Sequence, residues 1–207
     1  MLLGLTGLYC AGKNYIASRL EKQGFTILDV DKLGWTALNE AKFDLTARWG
    51  SGILGSDGVV DRKMLGKIVF NKPEELAALE NIVHPLVNHW TDCWIRENHD
   101  KNMIINAALL HKSSSFSHLD SIILVRASLL TRMIRAKVRD KLTLFEIARR
   151  FSTQKKFNSQ YLERNADIYI INNEGFGNFS RIFQRNLEKR LSNIPIFKNK
   201  PDIWEKK

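Results

Sequence analysis

Cysteine is scarce in this chain: Cys10 and Cys93 are the only two in 207 residues, and they show no metal-ligand spacing. That excludes a disulfide-stapled scaffold and a zinc finger, and both thiols are expected to stay reduced. No apolar run approaches the length needed to span a bilayer. The N-terminus lacks the basic region and cleavage site of a signal peptide, so a cytoplasmic chain without a membrane partner is expected. The Asn178-Phe179-Ser180 sequon has no consequence in that compartment. Internal repeats, low-complexity segments, Lys/Arg runs of five and RNA-binding aromatic signatures are all missing. Acidic residues are few, 22 against 32 basic ones, which leaves a formal charge of +10. Such a field favours anionic partners, and polyphosphates draw on it as readily as nucleic acid. Without a nucleic-acid motif, no nucleic-acid partner is expected. The basic residues concentrate in 126–156 and 181–207, and the end of the chain, with Lys198, Lys200, Lys206 and Lys207, reads as a solvated tail.

What is present begins at residue 7. Gly7-Leu8-Tyr9-Cys10-Ala11-Gly12-Lys13-Asn14 is the Gly-x-x-x-x-Gly-Lys frame of a phosphate-binding P-loop, with Asn where Ser or Thr is usual. Met1 to Thr6 reads as a buried strand before it, and 14–22 as a helix with apolar Tyr15, Ile16 and Leu20 behind it. Gly7 and Gly12 are expected to allow the backbone angles that turn successive N–H groups inward around a polyphosphate at the helix N-terminus. The ATP-binding residues expected from this frame are Cys10, Ala11, Gly12, Lys13, Asn14 and Tyr15, with Lys13 a point charge for the β and γ phosphates. Asn14 carries a hard carbonyl oxygen where a hydroxyl usually helps hold Mg²⁺, and is the expected metal ligand.

The length suits one α/β core with a substantial insertion. Residues 24–29 read as a second strand ending in Asp29, with Asp31 just beyond. From 32 to about 99 the pattern is mainly helical, interrupted by glycine-rich 50–58, and Pro85 is expected to break or kink the helix over 74–94. Further strands are read at 102–106, 121–125 and 166–171, a long basic helical stretch at 129–154, and a closing helix at 181–191. Strands alternating with helices predict a parallel sheet covered on both faces.

Two constellations bear on chemistry. Asp29 and Asp31 lie at the carboxyl end of the second strand, where open parallel sheets place their ligands. A carboxylate there can orient an acceptor hydroxyl and take its proton. The same position of Asp31 also suits a helix N-cap. Arg132, Arg135 and Arg139 are spaced three and four apart and share one helical face, with Arg149 and Arg150 following. Such a face can neutralise charge on a transferring phosphoryl group, or can simply be solvated.

Longer segments carry a resemblance. Gly4-Leu5-Thr6-Gly7, Leu28-Asp29-Val30-Asp31, Trp49-Gly50-Ser51-Gly52-Ile53-Leu54, Asp57-Gly58-Val59-Val60-Asp61-Arg62 and Leu79-Glu80-Asn81-Ile82-Val83-His84-Pro85 resemble the dephospho-CoA kinases. So do Arg135-Ala136-Lys137-Val138-Arg139-Asp140 with Leu142-Thr143, Arg150 to Gln154, and Ala166-Asp167 with Asn172-Asn173-Glu174-Gly175. The resemblance implies a P-loop three-layer α/β/α fold with a five-stranded parallel sheet. It implies a core at about 1–31, 101–130 and 166–192, a helical insertion receiving the CoA portion at about 32–100, and a lid at about 131–165. The implied activity is ATP-dependent phosphorylation of the ribose 3′-hydroxyl of dephospho-CoA, with ATP and Mg²⁺. The alternatives are another nucleoside or nucleotide-monophosphate kinase, or a catalytically weak nucleotide-binding protein. In the implied site Asp31 is the base, Asp29 its companion, and Lys13, Arg139 and Arg150 stabilise charge. His84 and Leu109 join Asp29 and Asp31 on the acceptor, and Asn172 lies in the turn near the adenine. Departures from the family pattern are the bulky loop interior, Asn14, and Asn106-Ala107-Ala108-Leu109-Leu110-His111, where the family's strand-three motif carries acidic residues. The oligomeric state is left open, a monomer being the simplest expectation.

Overall fold

A computed structural model describes residues 1–70, 72–141, 143–152, 154, 167–174 and 194. The chain forms two compact units, Met1–Leu28 with Asn98–Lys207, and Asp29–Glu97.

The first unit is built on a five-stranded sheet: β1 (Leu2–Gly7), β2 (Thr26–Asp29), β3 (Met103–Asn106), β4 (Ser121–Arg126) and β5 (Asp167–Asn172), in the order β2-β3-β1-β4-β5. β1 pairs in parallel with β3 on one side and β4 on the other, and β4 pairs in parallel with β5. The registers set Leu3 beside Ile104 and Ser121, and Leu5 beside Asn106 and Ile123. All six residues of β1 are buried, the mark of a central parallel strand covered on both faces. Helix α1 (Lys13–Lys22) buries Ile16, Ala17 and Leu20 against Leu3, Leu5 and Ile104, at the spacing that gathers side chains on one helical face. Because β1 has neighbours reached in opposite directions, its carboxyl end is a topological switch point, and the loop from β1 to α1 leaves from there.

The basic stretch after β4 forms two helices rather than one, α6 (Leu129–Asp140) and α7 (Leu144–Ser152). Lys141 ends α6 in the left-handed region at φ 53° and so stops its propagation. Ser128 caps the start of α6, accepting from the N–H of Thr131, and Glu174 beyond β5 accepts from the Ser128 N–H and the Thr131 hydroxyl. The expected closing helix at 181–191 lies outside the described residues.

The second unit holds α2 (Val30–Glu40), α3 (Lys42–Trp49), α4 (Arg62–Val69) and α5 (Pro73–Glu97). Pro73 opens α5, where a missing N–H costs nothing. Of the break or kink expected at Pro85, the break does not occur: α5 continues for 25 residues with Pro85 inside it. Pro85 sits on the exposed face, while buried Val83 and Val87 pack with Ala37 of α2 on the other, so tertiary packing outweighs the lost hydrogen bond. The glycine-rich segment closes as a small loop through an antiparallel bridge between Leu54 and Val60. Asp57 accepts from the Val59 N–H, Gly58 takes φ 71°, and Asp61 caps α4 by accepting from the N–H groups of Lys63 and Met64.

Candidate active site

β1 delivers the chain to the loop at Gly7, which must be small for a reason other than dihedral freedom. A Cβ there would stand 2.7 Å from the Val125 carbonyl oxygen, an impossible approach to fixed backbone. The expectation that both glycines bend the loop holds for Gly12, at φ 91°, whereas the other left-handed residue is Cys10, at φ 60°. The N–H of Ala11 donates to the Leu8 carbonyl over 2.9 Å and closes the turn. Gly12 is the N-cap of α1 and supplies no side-chain acceptor, and the first turn holds no acidic residue. A helix start in this state suits an anion, since dipole and N–H groups act together. Half-buried Lys13 is the first residue of α1. Tyr15 packs its ring against the sheet core.

The arginine face of α6 is confirmed as a face, but two of its members address the loop backbone. Nε of Arg132 donates to the Tyr9 carbonyl over 2.8 Å, and its guanidinium stacks on Phe151 at 4.3 Å. Arg135 donates to the carbonyls of Cys10, Ala11 and Asn173 at 3.3, 3.0 and 3.0 Å. Loop carbonyls turned outward onto guanidinium forks leave the loop in a conformation its own hydrogen bonds do not define. Burial lowers the basicity of both guanidiniums from the ordinary arginine value. Arg139 instead pairs with its neighbour Asp140 through Nε and a second nitrogen, at 2.7 and 2.9 Å. Arg150 donates to the Tyr9 hydroxyl over 3.0 Å, and that hydroxyl donates to Asp140. Burial, then the bond to Asp140, pushes the Tyr9 phenol up to about 12, while the bond from Arg139 leads in holding Asp140 below the usual carboxylate range. Cys10 is 7% exposed and packs with Ala136 and Ile147, and burial raises its thiol above the ordinary value.

Asn14, the expected metal ligand, is exposed, and its Oδ1 accepts from Nδ2 of Asn106 over 3.2 Å. Asn106 ends β3, is 2% exposed, and its own Oδ1 is buried without a hydrogen-bond partner. Just beyond β3, Leu109 is 53% exposed. His111 follows half-buried in a short 3₁₀ turn, its imidazole held below the usual value by burial and by Lys112. At the end of β5 Asn172 is exposed, and its neighbour Asn173 touches the loop. Asn173 is 2% exposed, and its Nδ2 donates to the Ala11 carbonyl over 2.9 Å.

The remaining acceptor-side candidates lie in the helical unit. Asp29 is the N-cap of α2, its carboxylate accepting from the Lys32 N–H over 3.2 Å. The cap that the sequence allowed at Asp31 is thus made by Asp29, and Asp31 stands in the first turn of α2. His84 is half-buried in mid-α5. The motif reading named Tyr9, Asn106 and Asn173 but gave them no contact of their own. The unusual bulk of the loop interior was the signal available for Tyr9; strand pattern alone does not separate Asn173 from Asn172.

Likeness to known proteins agrees with this architecture. The dephospho-CoA kinase (CoaE) family profile matches residues 1–177. The dephospho-CoA kinase of Treponema denticola is 32% identical over 183 residues, covering 84% of this chain and 82% of that protein. That of Shouchella clausii is 32% identical over 180 residues, covering 84% and 90%. Among solved structures, a Thermus thermophilus protein superposes with a TM-score of 0.75 at 26% identity, over 94% of this chain and 97% of its own. The Campylobacter jejuni dephospho-CoA kinase shares the fold with a TM-score of 0.67 at 24% identity, over 96% and 98%. A phosphate loop on a five-stranded parallel sheet and a profile match over most of the length together lead to one conclusion: this chain belongs to the dephospho-CoA kinase family.

Proposed function

We propose that the chain transfers the γ-phosphoryl group of ATP to the ribose 3′-hydroxyl of dephospho-CoA, giving coenzyme A and ADP. The observation that carries this reading is the family match, which spans both the phosphate loop and the helical segment that includes His84 and Pro85. The uncapped start of α1 and Lys13 receive the phosphates, where N–H dipoles and one point charge offset the negative charge. Arg139 and Arg150 stabilise charge on the transferring group. Asp31 orients the acceptor hydroxyl and takes its proton, with Asp29 restrained by its capping role. The helical segment at about 32–100 receives the acceptor, supported by a polar cleft of about 430 Å³ lined by Asp57, Asp61, Arg62 and Lys63.

Mg²⁺ accompanies ATP in this reading. Among the described residues no group of three or more His, Cys, Asp or Glu is placed to hold a metal. The amide oxygens present still fit a nucleotide-borne ion, which keeps phosphate and water ligands and asks little of the protein. Asn14 Oδ1 retains a second lone pair beside its bond from Asn106, and the orphaned Oδ1 of Asn106 can accept from a water on the metal. Bound there, the ion would neutralise charge on the β and γ phosphates.

No described helix is long and apolar enough to cross a membrane, in keeping with a proposed cytoplasmic location. The test is incubation of the purified chain with ATP, Mg²⁺ and dephospho-CoA, adenosine, AMP or uridine, with products identified by mass. Phosphorylation of dephospho-CoA alone is the expected result. Preference for a nucleoside or nucleoside monophosphate overturns the reading.

A further inference from the structure

The phosphate loop carries a tyrosine whose polar atoms all turn toward α6, α7 and the residues after them. The Tyr9 N–H donates to Oε1 of Gln154 over 2.8 Å, and its carbonyl accepts from Arg132 over 2.8 Å. Its hydroxyl donates to Asp140 and accepts from Arg150 over 3.0 Å. The guanidiniums of Arg139 and Arg150 lie over its ring, 5.4 and 5.2 Å from the centroid, and Phe151 meets the ring edge-on at 6.0 Å. A cation over an aromatic face is attracted by the ring quadrupole, and a hydroxyl beneath it adds direction. The ring and hydroxyl of one loop residue therefore hold both guanidiniums proposed to meet the transferring group.

We infer that Tyr9 is a positioning residue for phosphoryl transfer, holding Arg139 and Arg150 in a fixed place beside the phosphate loop. The inference rests on the kinase reading above. Both arginine side chains are more than half exposed, at 61% and 52%, and long exposed arginines sample many rotamers unless something restrains them. Restraint before the reaction begins is what makes a charged donor effective in the transition state. Asp140 completes the restraint: it accepts from Arg139 and from Tyr9, and lies 3.8 Å from Arg150. Lys13 and the α1 N–H groups receive the phosphates at the helix start, and this cluster adds positive charge for the group that moves.

The experiment is a cycle of four full-length proteins: wild type, Tyr9→Phe, Arg150→Ala and the double variant. Tyr9→Phe keeps the ring and removes both bonds of the hydroxyl, to Asp140 and from Arg150, so kcat is expected to fall about tenfold with KM for ATP nearly unchanged and the fold retained. Arg150→Ala is expected to cost more, and adding Tyr9→Phe to it should cost little further, because the hydroxyl acts through the guanidinium. Multiplying losses, or turnover of Tyr9→Phe at or above the wild-type rate, overturns the inference. The same four proteins are titrated with ATP and with ADP. Should the wild type fail to phosphorylate dephospho-CoA, the kinase reading falls, and the ATP-to-ADP affinity ratio decides on Tyr9 alone. Coupling of Tyr9 and Arg150 in that ratio supports positioning, and independent effects overturn it. Asp140→Asn weakens the bridge from its other end and replaces Tyr9→Phe in the cycle if that variant does not fold.

Discussion

The side-chain amide of Asn106, at the end of β3, donates to the amide oxygen of Asn14, in the first turn of α1, over 3.2 Å. Two neutral amides therefore face each other beside the phosphate loop, and the buried oxygen of Asn106 is left to be satisfied by something else. Asn14→Ala should raise the Mg²⁺ concentration needed for half-maximal turnover and for tight ATP binding. It also leaves Asn106 Nδ2 unpaired, at about 1–2 kcal/mol of stability. Asn14→Ser should remain active, since a hydroxyl on this turn is the usual ligand. Mg²⁺ titrations of ATP binding and denaturant midpoints measure both effects, and an unchanged titration for the alanine variant shows that Asn14 is no ligand.

Asp29 and Asp31 can now be separated by their local roles. Asp31→Asn should lower turnover by about two to four orders of magnitude with ATP affinity kept. Asp29→Asn retains an N-cap side chain and should fold normally, whereas Asp29→Ala should lose about 1 kcal/mol of stability. Steady-state kinetics beside thermal melts assign the roles; near-normal turnover of Asp31→Asn moves the base to Asp29.

Arg135 serves the loop by binding three carbonyls at once. A lysine cannot span that arrangement, so Arg135→Lys should weaken ATP binding about tenfold and cost about 1–3 kcal/mol of stability. Asn173→Ala removes a bond to the same Ala11 carbonyl, and the two substitutions should be less than additive. Calorimetric titration with ATP and denaturant unfolding of the single and double variants check this.

The Tyr9–Asp140 bridge carries its own pH signature. Below the ordinary tyrosine value of 10.0 the folded and unfolded chains both keep the phenolic proton, and the bridge contributes fully. Between 10.0 and about 12 the unfolded chain loses that proton first, so the contribution falls as pH rises. On the acid side Asp140 is depressed below its ordinary 3.8, so its contribution is present above that value and lost as pH falls through the folded one. Stability curves of wild type and Tyr9→Phe should therefore run parallel from pH 6 to about 9 and converge in the alkaline window. Parallel curves throughout would show that the phenol does not bridge.

Much of this was legible along the chain because it depends on neighbours in sequence. The Gly-x-x-x-x-Gly-Lys frame, the fully buried β1 and the helical period of α1 are local patterns, and the sheet strands fall within two residues of the expected ones. Arg132, Arg135 and Arg139 do share a face. The unbroken course of α5 through Pro85 was not legible, since packing of Val83 and Val87 decides it.

By itself the sequence determined the phosphate-loop frame, because the Gly-x-x-x-x-Gly-Lys pattern between strand and helix is a local one. It also determined the family, through motifs distributed from Gly4 to Glu174. Only the tertiary structure decided what the side chains around the loop do. Arg132 and Arg135 bind its carbonyls, Asn173 reaches it, Asn14 is paired to Asn106, and Tyr9 gathers Arg139 and Arg150. These partners are separated by 92 to 162 positions in most cases, so no local period encodes them. They meet because a parallel sheet brings the carboxyl ends of β1, β3, β4 and β5 to one edge, where a side chain's role is set by what the other strands deliver.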